Sequence, residues 1–320
     1  MEKGLKTNDY VIFVENLFKR YGKFDVLKGI SFKIKDNEII GFLGPNGAGK
    51  TTTMNILTGC ISYVEGVVEV FGCDVFNNPI KAKKNIGYLP ENPPLYQNMT
   101  VYEYLKFVCE IKKVKEIKKE IERVVELCSL KEKKDKLIFS LSKGFKQRVG
   151  IAQALVSNPK VLILDEPTSG LDPAQIVQVR QLIRSLKKEH TIILSTHILS
   201  EIQAVCDRII IINNGEIVAD ATEEELLKSD ENIYFVKVFC SLEEKVRNIF
   251  AEYVEYLEIK ELSVNSDGTI DIKIIVKNGY KGENLAISNI FLKNNIPILK
   301  FYENTLTLEQ LFIQLIEKKI

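Results

Sequence analysis

The first two-thirds of the chain alternate short apolar runs with segments of helical periodicity. The strand-like runs are "YVIFVENL", "GISFKI", "EIIGFLG", "KVLILDEP", "TIILSTH" and "RIIIINNG", and a helix is predicted to begin at about Thr51. Continuous apolar runs of strand length that alternate with helices are typical of a mostly parallel sheet buried on both faces. The pattern therefore predicts an α/β fold class for this region.

A helical insert is predicted between residues 84 and 159. Apolar residues recur there at spacings of three and four, which favours helices. The recurring positions are Val101, Leu105, Val108, Ile111, Val114, Ile117, Ile121 and Val124. The charged stretch "KKVKEIKKEIER" interleaves Glu and Lys at helical spacing, which indicates a solvated helix face rather than a nucleic-acid site. We place the insert at about residues 85–159.

A second region begins at residue 230. Strand-like "IYFVKVFC" is followed by helical "LEEKVRNIFAEY", by two strands in "EYLEIKELSV" and "GTIDIKIIV", by helical "LAISNIFLKNN" and by the strand "PILKFYE". This βαββαβ order, which is followed by a closing helix in "TLEQLFIQLIEKK", is typical of a small ferredoxin-like α+β domain. We therefore predict two domains, residues 1–229 and 230–320.

The composition argues against several classes of protein. In 320 residues, Lys and Arg number 44 and Asp and Glu 43, so the net charge of +1 gives no field that favours nucleic acid. The six cysteines form no C-x-x-C pair, which is typical of a reducing cytosol and argues against disulfides or zinc. The longest apolar runs are strand-sized, whereas a bilayer span needs roughly 20 residues, and the polar N-terminus lacks a signal-peptide core. We expect a cytoplasmic chain that meets any membrane through a partner.

The stretch "EIIGFLGPNGAGKTTT" carries the strongest chemical signal. A predicted strand leads into Gly44-x-x-x-x-Gly49-Lys50-Thr51 and then into a helix, the context that a phosphate-binding loop requires. Gly44, Gly47 and Gly49 allow the backbone amides to point inward at a β-phosphate. Lys50 supplies charge to the β- and γ-oxygens, and the Thr51 hydroxyl is suited to ligate Mg²⁺.

An acidic pair follows the buried strand "VLILDEP". Asp165 at the strand end is suited to hold Mg²⁺, directly or through water, and Glu166 to orient or deprotonate a water that attacks a γ-phosphate. Such a pair alone is often a helix cap or a surface pair. The phosphate loop upstream favours the catalytic interpretation.

The stretch "FSLSKGFKQRVG" precedes a helix with Ser142 as its predicted N-cap. A helix N-terminus also suits an anion, because its free amides and the helix dipole favour negative charge. The residues alone leave both interpretations open.

Several motifs in order resemble the nucleotide-binding subunit of an ATP-binding cassette (ABC) transporter, from about residue 11 to residue 222. Tyr21 in "RYGKFDVLKGISF" corresponds to the aromatic residue that stacks on adenine. "GYLPEN" corresponds to the Gln-loop, "LSKGFKQR" to the signature LSGGQ-x-Q-R, "SGLD" to the D-loop, and His197 in "LSTH" to the switch histidine. The resemblance implies a P-loop NTPase fold.

The resemblance also implies site residues and partners. Two cassettes are expected to hold two ATP molecules head to tail, so Ser142 and Gly144 should contact the γ-phosphate of the ATP bound to the opposite subunit. The other implied ATP-binding residues are Tyr21, Gly44, Pro45, Asn46, Gly47, Ala48, Gly49, Lys50, Thr51 and Thr52. The implied catalytic residues are Lys50, Glu166 and His197, and the implied Mg²⁺ ligands are Thr51, Glu91 and Asp165. The implied partners are a second copy or a paralogous cassette, and a separate membrane permease.

Three positions depart from the family pattern. Lys143 replaces a Gly and Phe145 replaces the Gln of the signature, and Glu91 stands where most members have Gln. Such variants resemble cassette subunits of bacterial exporters whose permease is a separate chain, including sodium-efflux, drug-resistance and gliding-motility systems. The closing "TLEQLFIQL" also resembles the "SLEEVF" ending of that group.

Two other functions are less consistent with the sequence. A soluble ABC ATPase that acts on nucleic acid or the ribosome usually carries two cassettes or a long coiled coil, and neither is apparent in this sequence. A regulatory cassette with vestigial ATPase activity conflicts with the complete set formed by Lys50, Asp165, Glu166 and His197. The sequence therefore favours an ATPase that powers export through a permease.

Overall fold

The computed structural model describes most of the chain as two compact units, Met1–Glu223 and Glu224–Ile320. The described residues are 10–227, 232–240, 243–251, 253, 257–276, 283–303 and 307–317. The domain boundary predicted between residues 229 and 230 lies outside them, as do residues 1–9 of the polar N-terminal segment.

The elements up to residue 227 follow the predicted alternation. The strands are β1 (Ile12–Tyr21), β2 (Phe24–Ile34), β3 (Ile39–Leu43), β4 (Glu65–Val70), β5 (Cys73–Asp74), β6 (Ile86–Leu89), β7 (Val161–Asp165), β8 (Thr191–Thr196), β9 (Arg208–Asn213) and β10 (Glu216–Ala221). The helices are α1 (Lys50–Leu57), α2 (Pro79–Lys84), α3 (Val101–Ile111), α4 (Ile117–Leu127), α5 (Lys143–Leu155), α6 (Pro173–Leu186), α7 (Leu199–Val205) and α8 (Glu223–Leu227).

The central sheet has the order β10-β9-β3-β8-β7-β6. Its strands from β9 to β6 pair in parallel, and β10 is added antiparallel to β9. Every residue of β3, β7 and β8 is buried, as expected for strands covered on both faces. The predicted parallel sheet is confirmed for these strands, and it aligns the carboxyl ends of β3, β7 and β8 at one edge.

The prediction was wrong for the first two apolar runs. "YVIFVENL" and "GISFKI" lie in β1 and β2, which form a separate antiparallel sheet of order β2-β1-β4-β5. The two strands are joined by a tight turn rather than by a helix, and exposed positions interrupt the buried ones along both. Such a pattern suits a sheet with one face towards solvent, which periodicity-based reasoning alone did not distinguish.

The predicted insert is helical and consists of α3, α4 and α5, with Val114 in the connection between the first two. Thr100 begins α3 with a capping box, in which its hydroxyl accepts from the Glu103 amide and the Glu103 carboxylate accepts from the Thr100 amide. The end of α5 is held by two cations. Lys112 Nζ donates to the Val156 carbonyl at 2.9 Å, and Arg123 donates to the Leu155 carbonyl at 2.9 Å.

The second unit has the predicted βαββαβ order followed by a helix. Its elements are β11 (Asn232–Phe239), α9 (Glu243–Ala251), β12 (Leu257–Val264), β13 (Thr269–Val276), α10 (Glu283–Lys293), β14 (Ile298–Glu303) and α11 (Leu308–Glu317). The strands form an antiparallel sheet of order β12-β13-β11-β14. One face contributes to an apolar core that includes Val236, Ile272 and Phe291. Within the described ranges, no helix has the length and apolar character that a bilayer span requires.

Candidate functional site

The phosphate loop connects β3 to α1 at the carboxyl edge of the central sheet. Gly47 and Gly49 have φ of 81° and 110°, values that favour glycine. Gly44 is required for a different reason, because a Cβ there would overlap the Ile212 carbonyl of β9. The three predicted glycines therefore allow either the turn of the loop or its close approach to the sheet.

Lys50 is the first residue of α1, and only 6% of it is exposed. Its Nζ donates to the carbonyls of Gly44 at 2.8 Å and Pro45 at 3.2 Å, and lies 3.7 Å from Glu166 Oε1. The ammonium group is thus held inside the loop, at the position from which it can meet a phosphate.

Asp165 ends β7 with its carboxylate completely buried. Its Oδ1 accepts from Thr51 Oγ1 at 3.3 Å and from the Ser195 hydroxyl, whereas Oδ2 has no hydrogen-bond partner among the residues that the structure describes. Burial raises the pKa of Asp165, although the bonds from Ser195 and Thr51 lower it. A buried carboxylate oxygen left unpaired beside a threonine hydroxyl fits the oxygen ligands that Mg²⁺ prefers.

Glu166 follows Asp165 in the left-handed region, with φ of 47°, which is uncommon for a non-glycine residue. Its amide donates to the carbonyl and the hydroxyl of Ser195, both at 3.1 Å. Its carboxylate turns towards His197, whose Nδ1 lies 3.1 Å from Oε1 and 3.0 Å from Oε2. Because β7 and β8 are parallel neighbours, Glu166 and His197 meet at the same edge of the sheet.

One cavity of about 620 Å³ lies beside Lys50, Glu166 and His197. It is lined by Phe24, Val26, Asn46, Gly47, Gly49, Lys50, Thr51, Thr52, Glu91, Glu166, Ser169 and His197. Glu91, which was predicted only through the family resemblance, therefore faces the same space as the phosphate loop. The Glu91 charge also contributes to raising the pKa of Asp165.

Seven predicted site residues are not among the described residues that line this cavity: Gly44, Pro45 and Ala48 of the phosphate loop, Asp165, Tyr21, Ser142 and Gly144. Tyr21 is half exposed at the end of β1, and Phe24, its partner across the β1–β2 turn, lines the cavity instead. Ser142 and Gly144 at the start of α5 also lie apart from it. The Ser142 hydroxyl accepts from the Phe145 amide at 3.5 Å, which confirms the predicted N-cap.

The positions that depart from the family pattern have specific neighbours. Lys143 lies against Gly170 of "SGLD", where a Cβ would overlap its ammonium group. Two cations lie near the ring of Phe145, Lys133 Nζ at 5.2 Å and the Arg148 guanidinium at 5.6 Å from its centroid. Gly144 is packed by the Gln175 side chain, which would lie 2.6 Å from a Cβ. Gly144 is therefore packed within its own chain, whereas Ser142 and Lys143 are exposed.

Sequence reasoning missed several buried polar residues behind the cavity. Ser195 bonds both Asp165 and Glu166, and Thr168, Thr196 and Glu201 form a second cluster. The available signal was a run of hydroxyl side chains at the end of an apolar strand in "TIILSTH" and a glutamate among the apolar positions of α7. Neither feature alone identifies a partner.

Comparison with known proteins places this geometry in a family. Residues 27–169 match the family described as ABC transporter. The chain is 35% identical to the bacitracin transport ATP-binding protein BcrA of Bacillus licheniformis over 96% of its length and 97% of that protein. It is 38% identical to the linearmycin resistance ATP-binding protein LnrL of Bacillus subtilis (strain 168), over 66% of this chain and 69% of that one. A solved ATP-binding subunit of an ABC transporter superposes with a TM-score of 0.62 and 30% identity, over 68% of this chain and 91% of that one.

The fold and site define a nucleotide-binding cassette of the P-loop class. The chain belongs to the ABC transporter family as an ATP-binding subunit, and it is an ATPase whose hydrolysis is coupled to transport. Proteins of this family bind ATP, generally with Mg²⁺, and work as dimers with membrane permeases.

Proposed function

We propose that this chain powers export through a separate membrane permease, to which it binds at the cytoplasmic face of the cell membrane. The names of two relatives support export, because one refers to bacitracin transport and the other to linearmycin resistance. The C-terminal "TLEQLFIQL", which resembles the ending of two-component exporter subunits, lies in α11 and the residue before it. In this proposal residues 1–229 form the cassette and residues 230–320 an accessory domain.

The catalytic proposal rests on one observation, the convergence of charged side chains in the cavity beside the phosphate loop. Lys50 binds the β- and γ-phosphate oxygens of ATP. Glu166 orients the attacking water and accepts its proton, and His197 holds the Glu166 carboxylate in place. Magnesium, when bound, neutralises charge on the phosphates, and Thr51, Asp165 and Glu91 are the residues that would hold it.

The two aromatic residues at the β1–β2 turn are the proposed adenine contacts. Tyr21 is assigned by the family resemblance, and Phe24 adds a second ring, 69% exposed, on the side that faces the cavity. Exposed aromatic faces bind a nucleobase by stacking.

The signature residues are proposed to act on a second subunit, either another copy of this chain or a paralogous cassette. Ser142 and Gly144 lie outside the chain's own cavity, which supports a contact across an interface. The N-terminus of the 13-residue helix α5 offers free amides and a favourable dipole to the γ-phosphate of the opposite ATP.

The nucleotide assignment is tested with Lys50→Ala, using the exposed Lys160→Ala as the matched control. Because Lys50 is the cation inside the loop, its loss should weaken ATP binding at least tenfold and abolish hydrolysis, while the control keeps both. Nucleotide titration and a phosphate-release assay measure the two effects. Full ATPase activity of Lys50→Ala would disprove the assignment.

The head-to-tail arrangement is tested by mixing Ser142→Arg chains with Lys50→Ala chains. In the mixed dimer one site carries both lesions and the other carries neither, so one ATP should bind per dimer. The added cation disables the helix N-terminus because it opposes the dipole and blocks the phosphate. Two intact sites in the mixed dimer, or none, would contradict the arrangement.

The proposed metal ligand is tested with Glu91→Gln, compared with Glu122→Gln on α4. A carboxylate is a stronger Mg²⁺ ligand than an amide, so the Glu91 variant should need severalfold more Mg²⁺ for half-maximal ATPase activity. Titration of Mg²⁺ at fixed ATP gives this value for each protein. Superimposable curves for wild type and Glu91→Gln would show that this carboxylate does not reach the metal.

A further inference from the structure

A buried glutamate joins the two loops that carry Glu166 and His197. Glu201 lies on α7 with only 2% of it exposed. Its Oε1 accepts a hydrogen bond from the Thr168 hydroxyl, and its Oε2 accepts one from the Thr196 hydroxyl at 2.7 Å. Each carboxylate oxygen therefore holds a different loop.

The two threonines lie next to the proposed catalytic groups. Thr168 comes two residues after Glu166, and Thr196 immediately precedes His197. The Thr196 hydroxyl also accepts from the Ile198 amide at 3.1 Å, so the residues on either side of His197 are hydrogen-bonded to each other. Glu201 is therefore connected to Glu166 and to His197, in each case through one hydrogen bond to a threonine and a short length of backbone.

The chemistry of Glu201 suits a fixed distance between the loops. Hydrogen bonds to an ionised carboxylate are roughly twice as strong as neutral ones and are directional. Burying a carboxylate has a cost in free energy that apolar packing would avoid, so this position is not explained by stability alone. Two hydroxyl donors on separate loops, bound to one rigid planar group, restrict the movement of each loop relative to the other.

We infer that Glu201 is a positioning residue for ATP hydrolysis, which sets the separation between Glu166 and His197 through Thr168 and Thr196. The inference rests on the proposed roles of Glu166 and His197. Because Glu201 does not line the cavity and bonds Thr168 and Thr196 instead, we expect it to act on turnover and to leave ATP binding unchanged.

The test compares Glu201→Gln, Thr168→Val and Thr196→Val with wild type in the full chain. A glutamine keeps one acceptor oxygen and loses the other, and each valine removes one hydroxyl with little change of shape. We expect each variant to lower kcat about tenfold, with the Kd for ATP within twofold of wild type. Thr168→Ser, which keeps the hydroxyl, should restore most of the activity.

The design separates positioning from simple destabilisation. Thr58→Val is the matched control. Thr58 is a buried threonine, and among the described residues its hydroxyl donates to the Met54 and Asn55 carbonyls of α1 and to Cys60 Sγ, none of which lines the cavity. This substitution should lower the melting temperature and leave kcat unchanged. Losses in the double variant Glu201→Gln with Thr196→Val should fall well short of additive, since both act on one connection.

Three results would overturn the inference. They are a kcat of Glu201→Gln within twofold of wild type, fully additive losses in the double variant, and equal activities of Thr168→Ser and Thr168→Val. If Glu201→Gln fails to fold, the serine and valine pair at Thr168 decides alone. Glu166→Gln tests the proposed function separately. Full activity in that variant would contradict the proposed catalytic role of Glu166 rather than the positioning role of Glu201.

Discussion

The two units of the chain differ in what they bury. Among the described residues, the buried lysine, aspartate and glutamate side chains all lie in the first unit, at or behind the cavity. The second unit has a core of aliphatic and aromatic side chains. Buried charges reduce stability unless they are paired, whereas apolar burial favours folding. The buried charges of the first unit therefore include the groups to which we assign catalytic roles, and the core of the second unit serves folding.

The largest effect expected from this difference is a loss of turnover in Glu166→Gln. The change removes the proposed base and preserves side-chain shape and the phosphate loop, so kcat should fall about a hundredfold to ten-thousandfold. ATP should still bind and favour the dimer, which size-exclusion chromatography with Mg-ATP detects. A monomer at high concentration with ATP bound, or rapid turnover, would contradict the role.

The converse prediction concerns Phe291, which is completely buried in the second unit with its ring centroid 5.4 Å from that of Phe250. Phe291→Ala should destabilise that unit by about 3–5 kcal/mol through lost burial and a cavity. ATPase activity should stay within twofold of wild type, since the proposed catalytic groups lie in the other unit. Denaturant unfolding and phosphate release measure the two quantities.

Leu285→Ala is the control for the Phe291 prediction. Leu285 lies on the same helix and is 72% exposed, so its loss should change the free energy of unfolding by less than about 0.5 kcal/mol. A large loss of ATPase activity in Phe291→Ala, but not in Leu285→Ala, would show that the two units are energetically coupled.

Asp165→Asn should separate stability from activity at one position. The asparagine removes a buried charge with one unpaired oxygen. Without nucleotide or Mg²⁺ at neutral pH, the free energy of unfolding of the variant should therefore be about 1 kcal/mol higher than that of wild type. Hydrolysis should be lost. Since the pKa of Asp165 is raised in the folded state, the wild-type protein loses stability as pH rises from the ordinary aspartate pKa to the raised value. The advantage of asparagine should therefore disappear under acidic conditions.

Denaturant unfolding of wild type and Asp165→Asn across this pH range provides the test. An asparagine variant less stable than wild type at neutral pH would show that the carboxylate is stabilising in the folded chain.

The smallest effect compares two helix N-caps in the first unit. Thr100→Ala and Ser142→Ala each remove a hydroxyl that caps a helix, so each should destabilise the cassette by about 1 kcal/mol. Only Ser142→Ala should also slow hydrolysis, because only Ser142 is proposed to contact ATP. Equal ATPase activities in the two variants would show that Ser142 acts only as a helix cap.

The sequence predicted the parts of the site that are formed by residues close together along the chain. The phosphate loop was predictable because Gly44, Gly49 and Lys50 act within one turn between a strand and a helix. The cluster of Thr168 and Glu201 was not, since its members are 33 residues apart and meet only through the order of strands in the sheet. The separate sheet of β1 and β2 was missed for a related reason, because periodicity does not specify which strands pair.

The two cations at the end of α5 have a mechanical consequence. Lys112 and Arg123 come from the two other helices of the insert, or from just beyond their ends, and hold carbonyls at the last turn of α5. The 13 residues of α5 span about 20 Å, and the proposed phosphate contact is at its other end. Because these bonds join the far end of α5 to the other two helices of the insert, we expect the three helices to move together when Ser142 contacts a phosphate.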